Sequence, residues 1–197
     1  MQKSEQKSEI LALRKSLTET EVRSRSQNAC LKFTRFAETH WKPQDFHGKT
    51  IGIYSPMAGE LDPSFIKSSS VFSEAFFAYP RIKSLADRTM DFVIPTHATD
   101  FVPGAYGILE PRIELPSVPP REMAMIIVPG VLFGPSGERI GMGAGFYDRF
   151  LALAPKVLRI ALAYDFQILA DPLPLKPWDI KMDGVFSESQ EILANLV

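Results

Sequence analysis

Residues 139–150, RIGMGAGFYDRF, place Gly141, Gly143 and Gly145 at alternate positions between Arg139 and Asp148. Glycine admits positive φ and leaves no Cβ to hold a ligand away from the backbone. Successive N–H groups in such a stretch can converge on an anion. A helix opening near Phe146 would add free N–H groups and the positive end of its dipole. Arg139 supplies a planar, permanently charged phosphate donor, and Asp148 can hold a hard cation such as Mg2+ against bound phosphates. A tight turn accounts for the same glycines without any ligand, and these residues alone do not separate the two.

Other nucleotide motifs narrow the choice. G-x-x-x-x-G-K-S/T is absent, which excludes a P-loop. The dinucleotide fingerprint needs a third glycine where Phe146 stands, although Asp165 follows Gly145 by twenty residues as a ribose-binding acid would. His40, His47 and His97 lack metal-ligand spacing, and no serine sits in G-x-S-x-G. Two further stretches carry chemistry. YSPMAGELD, residues 54–62, follows a strand and puts Glu60 ahead of a helix start, either as an ordinary β–α loop or as a ligand loop at a strand's C-terminal end. Lys3, Lys7 and Arg14 share one side of a helix, as a solvated face or as a set that one polyphosphate could meet.

The elements that must position these residues read as α/β. The chain has 197 residues, 45% hydrophobic and 23% charged, with net charge −1, so it can bury a core and carries no bulk attraction for nucleic acid. Cys30 is the only cysteine, which excludes an internal disulfide, and is expected to be a buried hydrophobe. The N-terminus lacks a secretory h-region and MAMIIVPGVLF, 123–133, is too short to span a bilayer, so a cytoplasmic protein without membrane partners is expected. Ile10, Leu13 and Leu17 mark one helix, and Thr18 with Glu21 forms a capping box opening a second that ends near residues 41–43. Strands are expected at 49–55, 74–80, 90–96, in MAMIIVPGVLF, at 157–164 and, as a short final strand, at 181–187, with a helix start at Asp62–Pro63, a helix at FYDRFLAL and a proline-rich loop over 103–120. Strands alternating with helices predict a largely parallel sheet. A single domain over 1–197 is expected, with a helical segment over about 1–42.

Taken together these stretches resemble the 5-formyltetrahydrofolate cyclo-ligase family. IVPGVLFGPSGERIGMGAGFYDRFL, 127–151, is similar to its hallmark: a strand ending in V-P-G, a short turn, then R-L/I-G-x-G-x-G-Y/F-Y-D-R. Lys3 and Lys7 match a helical Lys-x-x-x-Arg, and IGIYSPMAGELD, YPRIK, YGILEP and KMDGV match weaker features in order. The resemblance implies ATP- and Mg2+-dependent closure of 5-formyltetrahydrofolate to 5,10-methenyltetrahydrofolate, releasing ADP and phosphate. It implies a three-layer α/β/α fold like that of sugar isomerases and CoA transferases, and an enzyme expected to be monomeric. By similarity ATP contacts Lys3, Lys7, Arg139, Ile140, Gly141, Met142, Gly143, Ala144, Gly145, Phe146 and Tyr147. The folate contacts Ser55, Met57, Glu60 and residues Met142, Gly143, Ala144, Gly145 and Phe146. Arg139 and Glu60 are the implied catalytic residues, and Asp148 and Asp183 the implied Mg2+ ligands. The chain departs from the pattern at Lys7, where the family has arginine, at Gln6, where leucine is expected, and at Ala144, where some members carry lysine. Arg149 or Lys181 could supply that missing charge.

Overall fold

A computed structural model describes residues 2–196, with side chains from Ser4 to Leu196. Helix α1 spans Gln2–Ser16 and α2 spans Glu19–His40. Between them the Thr18 hydroxyl accepts from the Glu21 amide, and Glu21 Oε2 accepts from the Thr18 amide at 2.8 Å, the reciprocal capping box read from the sequence. The apolar stripe of α1 differs from expectation. Leu13 is 42% exposed, and the inward positions are Ile10 and, four residues on, Arg14 at 4% exposure.

The strands are β1 (Thr50–Gly52), β2 (Phe76–Ser84), β3 (Thr89–Val93), β4 (Phe101–Pro103), β5 (Leu109–Pro111), β6 (Ser117–Val118), β7 (Met123–Ile127), β8 (Leu132–Phe133) and β9 (Arg139–Ile140). After helix α3 (Phe146–Ala152) come β10 (Leu158–Leu162), β11 (Gly184–Phe186) and β12 (Glu191–Leu193). Eight of them form one sheet in the order β12-β11-β10-β7-β1-β2-β3-β6. The five strands from β11 to β2 are parallel, and β12, β3 and β6 are antiparallel additions at the edges.

The central strands are buried on both faces, so they read as continuous apolar runs. Met125 and Ile127 of β7, with Ile160 and Leu162 of β10, face Ala29, Phe33 and Ala37 of α2. The alternate residues Ile126, Val128 and Ala161 pack with Phe150 and Leu151 of α3. Helix, sheet and helix thus form the three layers. A third cluster joins Ile10 of α1 to Val131, Leu132 and Ile140, seating α1 across the β8–β9 hairpin instead of on the sheet.

Between β1 and β2 the helix start at Asp62 is real, because its Oδ1 accepts from the Ser64 amide at 2.8 Å. Beyond it the chain makes two 3-10 turns, Pro63–Ser68 and Ser70–Phe72, and no α-helix. The run Ser68–Ser69–Ser70 offers side-chain competitors for backbone hydrogen bonds and favours short turns over a helix interior. The strand expected at 181–187 forms as β11, Gly184–Phe186, but it is not the final one, because β12 follows it.

Asp183 and Asp165 are held inside this framework. Arg159 donates to Asp183 Oδ2 from its amide at 2.9 Å and from Nε at 2.8 Å, and its Nη2 closes the fork on Oδ1. Asp165 accepts from Ser189 and the Ser187 hydroxyl, and these bonds overcome burial to hold its carboxyl below the usual range. It serves the turn after β11, which removes the ribose-binding role that its spacing allowed.

Thr18→Ala should destabilise the protein by about 1 kcal/mol, a Tm decrease of about 3 °C for a chain of this size. Asp183→Ala leaves Arg159 without its partner and should cost about 2 kcal/mol, below the range for a fully buried pair because Arg159 keeps some solvent contact. Urea unfolding of both variants checks these values, and an unchanged Asp183→Ala midpoint would remove its structural assignment.

Candidate active site

Strand order reverses between β1 and β7: the chain leaves β1 toward β2 on one side and returns through β7 to β10 on the other. Loops leaving adjacent strands in opposite directions part at such a point and open a crevice at the strands' C-terminal ends. Here the crevice is a cavity of about 1350 Å³. Tyr54, Ser55, Met57 and Glu60 enter it after β1, and Pro129, Gly130 and Val131 after β7.

One wall is the glycine loop, from Arg139 to Arg149. The β8–β9 hairpin places Arg139, whose side chain is 5% exposed. Its Nη2 donates to Asp148 Oδ1 at 2.8 Å and its Nη1 to the Pro129 carbonyl at 3.1 Å. Its buried Nε has no hydrogen-bond partner among the described residues. Asp148 Oδ1 also accepts from the Ile180 amide at 3.3 Å.

Each of the three glycines faces a cationic head group. A Cβ on Gly141 would stand 2.7 Å from Arg139 Nη1, one on Gly145 would stand 2.8 Å from Arg149 Nη1, and the nearest atom to one on Gly143 is Lys7 Nζ. Gly143 and Gly145 also have φ of 108° and 76°, which side chains rarely adopt. Lys7 reaches across from α1 and donates to the Met142 carbonyl at 2.7 Å. Helix α3 does begin at Phe146 but has only seven residues, so its dipole is a minor contributor.

The cavity lining also carries Glu60, 8% exposed, whose Oε2 accepts from the Met57 amide at 3.0 Å and whose Oε1 pairs with Arg14 Nη2 at 2.9 Å. Tyr54 donates to the Leu61 carbonyl at 2.8 Å and spans the same loop. Burial pushes the Tyr147 phenol far up, with the Glu60 carboxylate adding to the rise. Its hydroxyl therefore stays protonated at any working pH, buried, with no partner among the described residues. Pro80, Ile82, Met90, Ile108 and the exposed rings of Tyr106 and Trp178 give the rest of the cavity an apolar lining.

Most of the residues singled out in the sequence therefore meet in one cavity: Lys7, Ser55, Met57, Glu60, Arg139, Ile140, Gly141, Met142, Gly143, Ala144, Gly145, Phe146, Tyr147 and Asp148. The side chain of Lys3 lies outside the described residues. Asp183 does not line the cavity, and both its oxygens are engaged by Arg159, so the expected pairing of Asp148 with Asp183 around a metal is not assembled. Among the described residues no three His, Cys, Asp or Glu side chains are grouped as a metal site. Of the two substitutes for a lysine at 144, Arg149 lines the cavity, whereas Lys181 is paired with Glu138 at 3.1 Å. Arg14 is buried against Glu60, so it belongs neither to a solvated face nor to a phosphate set. Glu110 lines the cavity from β5, within the YGILEP stretch, whereas sequence reasoning missed Lys176, Trp178 and Asp179, which line it from a loop without periodicity.

Residues 1–188 match the profile of the 5-formyltetrahydrofolate cyclo-ligase family. The 5-formyltetrahydrofolate cyclo-ligase of Escherichia coli K12 is 26% identical over 180 residues, covering 90% of this chain and 95% of that protein. The Haemophilus influenzae enzyme of the same name is 28% identical over 137 residues, 68% of this chain and 73% of its own. The NMR structure of Aquifex aeolicus 5,10-methenyltetrahydrofolate synthetase superposes with TM-score 0.79 at 30% identity, covering 98% of this chain and 93% of that one. The Mycoplasma pneumoniae synthetase shares the fold, with TM-score 0.73 at 24% identity over 96% of this chain and all of that one. With the profile matched over residues 1–188 and the whole fold shared with these synthetases, the chain belongs to the 5-formyltetrahydrofolate cyclo-ligase family.

Proposed function

We propose that this enzyme closes 5-formyltetrahydrofolate to 5,10-methenyltetrahydrofolate at the expense of ATP, with residues 1–197 acting as one catalytic domain. The observation that carries the proposal is the convergence of Lys7, Arg139 and Arg149 on the three glycines, across one cavity from Glu60 and an apolar lining. A triphosphate needs the first wall and a pterin the second.

The formyl oxygen of an amide is a poor leaving group. Transfer of the γ-phosphoryl to that oxygen releases ADP and makes it a phosphate ester. N10 of the same folate then attacks the activated carbon and gives up its proton to the departing phosphate, as the C–O bond breaks and inorganic phosphate leaves with both electrons. Phosphoryl transfer asks a protein mainly for positioning and charge stabilisation. Lys7 and Arg149 stand where they would meet phosphate oxygens, and the unpartnered Nε of Arg139 provides a further charged donor on the same wall. Glu60 accepts hydrogen bonds from the pterin, and the neutral Tyr147 hydroxyl donates one to the reacting end. Every bond change occurs within the substrates, which accounts for a site without a Ser–His or Cys–His pair.

The donor set fits Mg2+, which takes one or two carboxylates and otherwise phosphate and water oxygens. Asp148, on the cavity wall beside Arg139, would hold it, and the ion would supply neutralisation of phosphate charge.

The purified protein with 5-formyltetrahydrofolate and Mg-ATP should build the methenyl absorbance, and EDTA should abolish it. Arg139→Ala and Asp148→Asn should each lower kcat by about 100-fold or more. Circular dichroism should show both variants folded, Asp148→Asn most closely because the amide keeps an oxygen for Arg139. Absence of product across pH and Mg2+ concentration would overturn the proposal, and wild-type rates in both variants would misassign the cradle.

A further inference from the structure

The loop 56–60 divides two cavities. The large one is the site described above. A smaller one of about 480 Å³ lies behind the loop and is lined by Arg14, Lys15, Arg23, Pro56 and Phe65 among others. Met57 and Glu60 line both, whereas Arg14 lines only the smaller. Arg14 thus reaches the Glu60 carboxylate from the side away from the substrate.

Three contacts lock this arrangement. Arg14 Nη2 pairs with Glu60 Oε1 at 2.9 Å, with side chains only 5% and 9% exposed. Glu60 Oε2 is held by the Met57 amide, and the Glu60 amide donates back to the Met57 carbonyl at 2.8 Å, closing a tight turn. Gly59, at φ 75°, passes so close to α1 that a Cβ there would lie 2.5 Å from the Arg14 carbonyl oxygen. A side chain at position 59 would drive helix and loop apart.

We infer that Arg14 is a positioning residue, which fixes the Glu60 carboxylate and the 56–60 loop in the geometry that receives the folate. It touches neither substrate, so its effect must pass through Glu60. A flexible carboxylate would have to be ordered on binding, and the buried contact from the Arg14 guanidinium removes that cost beforehand. Arg14 stands seven residues from Lys7, two turns along the same helix, so one rigid element carries a group for each half of the cavity.

The inference rests on the cyclo-ligase proposal and is tested by steady-state kinetics on the full chain with both substrates varied. Arg14→Met should raise KM for 5-formyltetrahydrofolate about tenfold, with KM for ATP and kcat changed by less than about threefold. Arg14→Lys, which keeps charge and loses the fork, should recover part of that loss and carries the comparison if Arg14→Met does not fold. In a Glu60→Gln background either Arg14 substitution should add less than about twofold, because the carboxylate it acts on is gone. Equal losses with and without the Glu60 carboxylate, or a fall in kcat with both KM values unchanged, would overturn the positioning role. Wild-type protein that neither binds nor converts 5-formyltetrahydrofolate would instead overturn the functional proposal, and the inference with it.

Discussion

Three cationic head groups stand against one short loop, and two of them, of Arg139 and Arg149, occupy space that a Cβ on Gly141 or Gly145 would take. Lys7, Arg139 and Arg149 come from a helix, a hairpin and a second helix, and each meets its own glycine. Like charges gathered this way repel, and Asp148 offsets that of Arg139. The three come together on one cavity wall in a chain whose net charge is −1. Local placement, not bulk charge, sets the potential there.

The sheet supplies the other half of that arrangement. Because strand order reverses between β1 and β7, the glycine loop and the Glu60 loop diverge at the same end of adjacent strands. The burial of β7 and β10 on both faces fixes that end, and Tyr54 and Leu61 tie the Glu60 loop into the same core. Helix α1 is the exception among the helices. It packs on the β8–β9 hairpin through Ile10, Val131, Leu132 and Ile140, so the hairpin that carries Arg139 also seats the helix that carries Lys7.

Much of this was legible in the sequence. The capping box at Thr18 and Glu21, the continuous apolar run of β7 and the β2–β3 hairpin depend on neighbours within a few residues, where periodicity and turn chemistry act directly. The glycine loop was legible as a candidate, but the cation that α1 brings to it from 135 positions away was not legible in its own residues. What was hidden depends on distant partners. Arg14 reads as a surface residue of a basic helix until Glu60, 46 positions later, is brought against it. Asp183 reads as a carboxylate available to a metal until β10 places Arg159 beside it. Strand β12 is three residues long and lies at the sheet's edge, where a partner strand and not its own pattern defines it.

Arg139 shows how a cationic side chain can be buried without every donor being engaged. Two of its donor nitrogens are used, by Asp148 and by the Pro129 carbonyl, and these contacts fix the plane of the guanidinium. An arginine with every N–H satisfied would gain little from an arriving anion, because each new bond would replace an old one. The Nε here is buried and unsatisfied, a state that costs free energy in the resting protein. An anion that reached it would relieve that cost as well as form a charge-assisted bond. A charged group held rigid by some of its donors, with another left unpaired, is oriented before its ligand arrives. Glu60 is held more completely: Arg14 takes one oxygen, the Met57 amide takes the other, and the carboxylate meets the cavity with the lone pairs left on each.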